Sequence, residues 1–433
     1  MSRKVIQVEE KVPLLQAIPL SFQHLFAMFG ASVLVPYLFN QAAGTQVIDP
    51  ALVLLMNGIG TLLFLVICKG KAPAFLGSSF AFIAPAVAII TGEGDKAVNF
   101  TKALSGFVVS GLLFILVAFI IGKVGTKWLD IVLPPAAMGP IVALIGLELA
   151  GVAAGMAGFL PDQNGMYNMK SVLVALFTLA VVILGSVLFR GFLGVIPVLV
   201  AVVSGYALSA VLGIVDYNVI TDGRHLFSIP KFVLPTFDVN AILIIAPATL
   251  VVLSEHIGHL LVTSKIVDRD LVKDPGLHRT LFSDGFSTSL SGLMGSVPTT
   301  TYGENMGVMA ITKVYSIWVI GGAAVISIII AFFGYFSGFI ASIPTPVMGG
   351  ISILLFGVIA ASGIRMLVEA KVDYSKSKNL VLTAVVFIVG LSGVSIKIGK
   401  SDLKGMALAT VVGMVLSLLF YVFEKLHIMN DVE

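Results

Sequence analysis

Long apolar runs dominate the chain, and short polar stretches separate them. A helix needs about 20 largely apolar residues to cross a bilayer, and by this measure the 433 residues contain fourteen such segments. We therefore predict an all-α polytopic membrane protein. The fourteen segments begin near Leu14, Ala51, Pro73, Ala103, Ile131, Ser171, Phe192, Ala241, Leu281, Val297, Ser316, Pro346, Leu380 and Gly405.

The third and tenth segments differ from the others because each contains a run of small, hydroxylated and β-prone residues. These runs span residues 77–82 and 298–303. Irregular or extended backbone at membrane depth survives only where protein surrounds it or where it lines a cavity. We therefore expect each segment to be a short extended strand followed by a half-helix, whose N-terminal N–H groups point to a site near the membrane midplane.

A short motif occurs twice along the chain. Leu-Pro-Pro-Ala-Ala-Met-Gly at 133–139, in the fifth segment, is similar to Ile-Pro-Thr-Pro-Val-Met-Gly at 343–349, near the twelfth. A shift of seven segments relates the two copies, and the same shift pairs the broken third segment with the broken tenth. Because seven is odd, the second half starts from the opposite side of the membrane. The sequence therefore predicts two inverted seven-segment repeats.

Composition agrees with a membrane protein and indicates its orientation. Hydrophobic residues make up 58% of the chain and charged residues 11%, which excludes a soluble domain with a polar surface. With the N-terminus placed in the cytoplasm, eighteen of the 26 Lys and Arg residues fall in cytoplasmic loops and eight outside. This distribution predicts that both termini are cytoplasmic, and it explains the basic residues without nucleic-acid binding. With a single cysteine, no disulfide framework or cysteine-rich metal site is expected.

Two carboxylates lie in apolar stretches where a charge is costly. Glu304 follows the extended run of the tenth segment, and Glu255 lies in the eighth. An ionisable side chain inside a bilayer costs on the order of 3 kcal/mol or more unless it lines a polar cavity or is protonated. His259 lies four residues after Glu255 on the same helical face, where the two side chains can hydrogen-bond and pass a proton. Alternatively, this pair only joins two helices, and Glu304 only stabilises the start of its half-helix.

Residues next to Glu304 favour a flat ligand. Tyr302 and, in the symmetry-related segment, Phe80 can stack on a planar ring, although each can also be a packing residue. Gly303 lets a backbone N–H approach a ligand closely. Carboxylates, backbone N–H groups and aromatic faces together suit an uncharged planar molecule with alternating N–H donors and C=O acceptors, such as a nucleobase. Because two neighbouring buried acids do not both stay charged, a proton can enter with this substrate.

Several of these residues belong to motifs that resemble those of the nucleobase–ascorbate transporter family. Residues 304–313, Glu-Asn-Met-Gly-Val-Met-Ala-Ile-Thr-Lys, match the family signature, in which an acid, amide or proline precedes Asn-x-Gly and Thr-Lys or Thr-Arg follows. Gln23 with His24, Gly-Ser-Ser-Phe at 77–80 and Glu-His-Ile-Gly-His at 255–259 are similar to further family motifs. The resemblance covers nearly the whole chain and is strongest to bacterial members that carry uracil.

The resemblance implies an architecture and a function. The implied fold has a core domain, residues 1–128 and 237–340, and a gate domain, residues 129–236 and 341–433, with short antiparallel β-strands in segments 3 and 10. The implied function is proton-coupled uptake of uracil across the cytoplasmic membrane, without a cofactor or a metal. The implied assembly is a homodimer formed through the gate domain.

The resemblance also assigns roles to individual residues. Uracil binding is assigned to two carboxylates, two backbone positions and two van der Waals contacts, which are respectively Glu255, Glu304, Phe80, Gly303, Ala31 and Tyr302. Proton coupling is assigned to His259 together with both carboxylates. The positions expected to surround these residues are Gln23, His24, Asn305, Asp284 and Phe356. Two positions depart from the family pattern, since Phe356 stands where a tyrosine is usual and Asp284 where an asparagine is usual.

Two other functions are compatible with parts of the sequence, and a third is disfavoured. A xanthine or purine carrier of the same family is the main alternative, because one sequence does not fix the size of the cavity. A passive channel is a second alternative, since polar residues at the midplane also line pores. An intramembrane metalloprotease is disfavoured, because its His-Glu-x-x-His pattern differs from the Glu-His-x-x-His at 255–259.

Overall fold

The computed structural model describes residues 5–161, 165–221, 225–398 and 401–430, and most of them are helical. Nineteen α-helices lie within these ranges. They are α1 (Leu14–Ala43), α2 (Pro50–Ile67), α3 (Ile83–Ile90), α4 (Lys96–Val124), α5 (Lys127–Val132), α6 (Pro135–Glu148), α7 (Ala150–Met156), α8 (Met169–Leu188), α9 (Pro197–Val211), α10 (Asn218–Thr221), α11 (Val239–Ile245), α12 (Ala248–Val267), α13 (Leu277–Met294), α14 (Gly303–Thr312), α15 (Ile317–Ala331), α16 (Gly334–Ala341), α17 (Thr345–Glu369), α18 (Ser377–Leu391) and α19 (Gly405–Lys425).

Eight helical stretches among the described residues are long and apolar enough to cross a membrane. They are α1, α2, α4, α6 with α7, α8, α11 with α12, α17 and α19. Four shorter apolar stretches are α9, α15, α18 and α3 with the turn before it. The prediction of a predominantly helical, polytopic membrane fold is thus confirmed, whereas the count of fourteen segments stays a prediction.

Four short strands form two separate antiparallel pairs within the described ranges. Strand β1 (Leu76–Ser78) pairs with β2 (Thr299–Thr301), so that Gly77 lies opposite Thr300. Strand β3 (Ser395–Ile398) pairs with β4 (Ser401–Lys404) directly before α19. The first pair joins the third and tenth segments of the sequence. A single-turn 3₁₀ helix, Phe80–Phe82, follows β1 and leads into α3, whereas β2 leads directly into α14.

The two copies of the repeated motif adopt the same local structure. Pro134 and Pro344 are the N-cap residues of α6 and α17, with extended backbone angles of φ −64°, ψ 157° and φ −63°, ψ 142°. A proline inside the first helical turn, at Pro135 or Pro346, lacks an N–H that would have no partner there. Helices α6 and α17 also touch each other, because a side chain on Gly146 would meet the backbone carbonyl of Phe356.

Helices α4 and α13 pack closely enough that their backbones touch. A Cβ atom on Gly285 would lie 2.6 Å from the carbonyl oxygen of Gly111 and 2.6 Å from Cβ of Phe114. Nearby, the Ser289 hydroxyl donates to the carbonyl of Val108 at 3.1 Å. Helix α13 also buries a row of polar side chains, including Asp284 and Thr288, toward the strand pair. The α4–α13 contact therefore holds the polar helix against the strands.

This packing predicts that Gly285→Ala destabilises the protein. The added methyl group meets backbone atoms that cannot rotate away, so we expect a loss of about 1–3 kcal/mol, the usual cost of overpacking. The thermal midpoint of the detergent-solubilised protein measures it. Gly151→Ala is the matched control, because Gly151 is helical and nothing lies within 4 Å of its Cβ position. Equal midpoints for the two variants would show that the contact is not tight.

Candidate binding site at the paired strands

The strand pair lies inside the protein and has no neighbouring strand at either edge. Side chains form hydrogen bonds with the backbone at both edges. Main-chain bonds from Ser79 to Pro298 (2.8 Å) and from Tyr302 to Phe75 (3.1 Å) bracket the ladder. Because pairing alternates along antiparallel strands, the backbone groups of Leu76, Ser78, Thr299 and Thr301 point outward. Such groups need partners where water is scarce.

Side chains from neighbouring elements form hydrogen bonds with several of these outward backbone groups. The Leu76 N–H donates to Thr61 Oγ1 of α2 at 2.9 Å. The Thr299 carbonyl accepts from Thr288 Oγ1 of α13 at 2.9 Å. The Ser78 carbonyl accepts from the Tyr302 hydroxyl at 2.9 Å. The strands are therefore fixed by α2, α13 and the start of α14 together.

Helix α14 starts directly after β2 and places Glu304 in its first turn. Tyr302 is the N-cap with extended backbone angles, and Gly303 is the first helical residue. The first N–H groups of a helix have no partner within it, and they carry partial positive charge. Gly303 and Glu304 are both partly exposed. The start of α14 thus brings N–H groups that have no partner within the helix and a carboxylate to one position.

Tyr302 forms a fixed wall beside this helix start. Its side chain is buried, and its hydroxyl bond to Ser78 crosses from one strand to the other. The ring lies over Gly77, because a Cβ atom there would overlap the ring carbons. Glycine at position 77 is therefore required for this ring position.

His259 on α12 bonds to strand β2 and not to Glu255. Its Nδ1 lies 2.7 Å from the Thr301 carbonyl and 3.2 Å from Thr301 Oγ1. A carbonyl only accepts, so Nδ1 carries the hydrogen and Nε2 is left as an acceptor. The predicted Glu255–His259 hydrogen bond is thus wrong, because the Nδ1–H of His259 donates to the outward carbonyl of Thr301 instead. Nε2 faces the start of α14, 3.6 Å from the position of a Cβ on Gly303.

Glu255 has a carboxylate oxygen without a hydrogen-bond partner in the described part of the chain. The atom is Oε2, and the same holds for Gln23 Oε1 and Asn305 Oδ1. Buried polar atoms are nearly always hydrogen-bonded in proteins. Asn305 lies in α14, and Glu255 lies on α12, which packs against α14, so their unpartnered oxygens mark a place near α14 where a ligand with N–H groups can bind.

Helix α1 contacts the site through His24. Its Nδ1 lies 2.6 Å from Asn305 Nδ2, which is the donor of this hydrogen bond, and both side chains are buried. Farther along α1, the buried Ala31 precedes Ser32, whose carbonyl accepts from the Ser78 hydroxyl at 3.2 Å. The structure thus places His24 and Ala31 on one helix that touches both α14 and β1.

A buried His–Asp pair lies behind β2, and the sequence did not reveal it. His256 Nδ1 is 2.9 Å from Asp284 Oδ2, and its Nε2 is 3.0 Å from Thr280 Oγ1. The hydroxyl of Thr300 in β2 is 3.5 Å from the same Asp284 oxygen. The hydrogen-bond partners of His256 therefore lie on α13. The sequence did offer one indication of this pair. His256 and Asp284 are ionisable residues in neighbouring apolar segments, and such residues usually pair.

Phe80 and Phe356 link the site to α17. Their rings meet edge to face, with centroids 6.0 Å apart and an interplanar angle of 80°. Both side chains are buried. Phe80 begins the turn after β1, so this aromatic contact joins the strand pair to the helix that carries the second copy of the repeated motif.

Glu148 is partly buried and caps a helix. Its Oε2 accepts the N–H of Met406 in the first turn of α19 at 3.1 Å. Gly405 has φ +61° and no side chain, so the carboxylate can approach. A carboxylate at a helix N-terminus is stabilised by the unpaired N–H groups there. Glu148 also borders a cavity of about 490 Å³ that Gln41 and Asp402 line.

Apolar helices enclose two strands, polar side chains and partly exposed carboxylates, an arrangement typical of membrane transport proteins. The chain belongs to the Permease family, whose sequence profile matches residues 15–398. This confirms the resemblance to a transporter family. The protein is therefore an integral membrane permease and not an enzyme.

Individual relatives agree with the family assignment. The chain is 58% identical to a uracil permease of Escherichia coli (strain K12) over 427 residues, 99% of this chain and 96% of the relative. It is 54% identical to a uracil permease of Paenibacillus larvae over 434 residues, covering all of both chains. The transmembrane domain of the cyanobacterial bicarbonate transporter BicA shares the fold, with a TM-score of 0.63 at 16% identity, covering 95% of this chain and 100% of BicA's.

The strand-crossing bond of Tyr302 predicts that Tyr302→Phe destabilises the protein. The variant leaves the Ser78 carbonyl without its donor, which costs about 1–3 kcal/mol for a buried group. Thermal unfolding in detergent measures the change. Tyr374→Phe is the control, because the Tyr374 hydroxyl is exposed and lies 3.4 Å from Thr383 Oγ1. If both variants unfold at the wild-type temperature, the Tyr302 bond does not hold the strands together.

Proposed function

We propose that the protein is a secondary active transporter that takes up uracil together with a proton across the cytoplasmic membrane. The observation that carries this proposal is the unpartnered carboxylate oxygen of Glu255 on α12, which packs against α14, whose start is partly exposed. The identity to proteins named uracil permease supports the choice of substrate. We also propose which residues bind uracil and that transport is coupled to protons.

The groups at the site match the hydrogen-bonding pattern of uracil. The base has two ring N–H donors, which suit the carboxylates of Glu255 and Glu304. Its two carbonyls are acceptors, which suit the N–H groups at Gly303 and at Phe80, where the helical turns begin after each strand. The ring is flat and uncharged, so it can lie against Tyr302 and Ala31 without bringing a charge into the membrane.

Proton coupling follows from the charge balance at the site. Glu255 and Glu304 lie on helices that pack together, and low polarity disfavours two negative charges there. One proton held between them makes the loaded site less charged than the empty one. His259 has a free Nε2 toward the start of α14. We infer that this nitrogen receives or returns the proton while Thr301 holds the ring in place.

The proposed architecture is that implied by the sequence. Fourteen segments form two inverted repeats, and α6 and α17 begin in the same way at the two copies of the motif. The core domain comprises residues 1–128 and 237–340, and the gate domain residues 129–236 and 341–433. Phe80 then contacts Phe356 across the core–gate boundary. We further propose a homodimer through the gate domain, with both termini in the cytoplasm.

Uptake of labelled uracil into proteoliposomes tests the function. We expect accumulation above equilibrium when an inward proton gradient is imposed, and competition by unlabelled uracil. Accumulation that xanthine abolishes and uracil does not would assign the protein to purine transport instead. Uptake that only equilibrates, with or without the gradient, would identify a passive pathway.

Glu255→Gln and Glu304→Gln are each predicted to abolish uracil uptake. An amide keeps the size of the carboxylate but loses its charge and one acceptor, and a hydrogen bond to a charged group is worth about 1.5–3 kcal/mol. We therefore expect affinity to fall at least tenfold and accumulation to stop. Glu93→Gln, at an exposed residue, is the matched control and should transport normally. Full transport by either site variant would remove that residue from the proposed site.

Two substitutions of His259 distinguish the roles of its two ring nitrogens. The amide nitrogen of His259→Asn can replace the Nδ1–H that donates to Thr301, but the variant lacks Nε2. We expect it to bind uracil within a few-fold of wild type and to lose gradient-driven accumulation. His259→Gln instead places its amide near the Nε2 position and should bind more weakly, because Thr301 loses its donor. Normal accumulation by His259→Asn would contradict a role for Nε2 in coupling.

A further inference from the structure

A second cavity lies away from the strand pair, between one end of α4 and the start of α13. Its volume is about 340 Å³. The residues that line it are Ala118, Phe119, Gly122 and Lys123 of α4, and His278, Arg279 and Phe282 of α13. None of them belongs to the proposed uracil site. By the distribution of basic residues, this end of both helices is the cytoplasmic one.

The lining of the cavity is basic, since the described residues that border it include Lys123, His278 and Arg279 but neither Asp nor Glu. Within the described part of the chain, Lys123, His278 and Arg279 form no ion pair. Two acids that precede α13 have other partners, since Asp274 pairs with Lys71 at 2.6 Å and Asp270 lies 3.9 Å from Lys273. An anion that enters the cavity therefore meets uncompensated cations.

An exposed apolar surface leads from the cavity toward the middle of the membrane. Phe119 is 59% exposed and contacts Phe282 edge to face at 6.0 Å. Leu116 and Leu112 continue this exposed surface one and two turns earlier on α4. From Leu112 to Lys123 the helix rises about 16 Å, which matches half of the roughly 30 Å hydrocarbon core. The surface therefore has the length of one lipid leaflet.

We propose that this cavity binds the headgroup of an anionic phospholipid. Lys123 and Arg279 bind the phosphate, Arg279 through paired N–H donors and Lys123 as a mobile point charge. The acyl chains lie along Phe119, Leu116 and Leu112. Basic pockets between helices at the cytoplasmic side of a membrane attract anionic lipids in this way. A soluble phosphate would use the cations but would leave the apolar surface without a function.

Native mass spectrometry of the full-length protein in non-ionic detergent tests the site. The probes are dioleoyl phosphatidylglycerol, dioleoyl phosphatidylcholine and inorganic phosphate, added separately and in competition. We expect wild type to bind phosphatidylglycerol in preference to phosphatidylcholine. In Lys123→Gln and Arg279→Gln the affinity for phosphatidylglycerol should fall about fivefold each, the factor that corresponds to about 1 kcal/mol per basic residue. Lys376→Gln, at an exposed lysine elsewhere, should bind like wild type.

Three results would overturn the proposal. Equal binding of the two lipids by wild type would exclude a site for an anionic headgroup. Unchanged preference in the Lys123→Gln and Arg279→Gln double variant, folded by its thermal midpoint, would place the lipid elsewhere. Displacement of phosphatidylglycerol by inorganic phosphate at equal concentration would show a phosphate site without a lipid component.

Discussion

The structure depends on how two extended segments satisfy their backbone within a membrane protein. Water is scarce there, so each N–H and C=O group needs a partner from the protein. Strands β1 and β2 supply partners for each other, and their outward groups are met by Thr61, Thr288, Tyr302 and His259. Helices α2, α12 and α13 are therefore bound to one small sheet.

The need of each backbone group for a partner also shapes the candidate site. A chain that leaves a strand and starts a helix exposes its first N–H groups, and the two strands do this at Phe80 and Gly303. The hydrogen bond that satisfies Thr301 also fixes which nitrogen of His259 is free. His259 thus has both a structural role and a proposed functional role. In Tyr302, the hydroxyl holds the strands while the ring forms a wall of the site.

Features that depend on local sequence could be predicted, whereas partners distant in the chain could not. The small hydroxylated runs before Phe80 and Gly303 indicated extended backbone, because helix formers are absent there. The spacing of Glu255 and His259 gave a shared helical face but the wrong partner for the histidine, since spacing does not reveal the carbonyl of Thr301. The contacts of His256 with Asp284 and of Glu148 with α19 likewise arise from packing between segments.

We propose that the paired strands place Glu255 and Glu304 around uracil, and a structure of the protein with uracil bound is the decisive experiment. We expect ring density within about 2.7–3.2 Å of both carboxylates, the range of ordinary hydrogen bonds, with one carbonyl at the N–H of Gly303. Density for uracil in the cavity of about 490 Å³ beside Glu148, with the strand site empty, would contradict this placement.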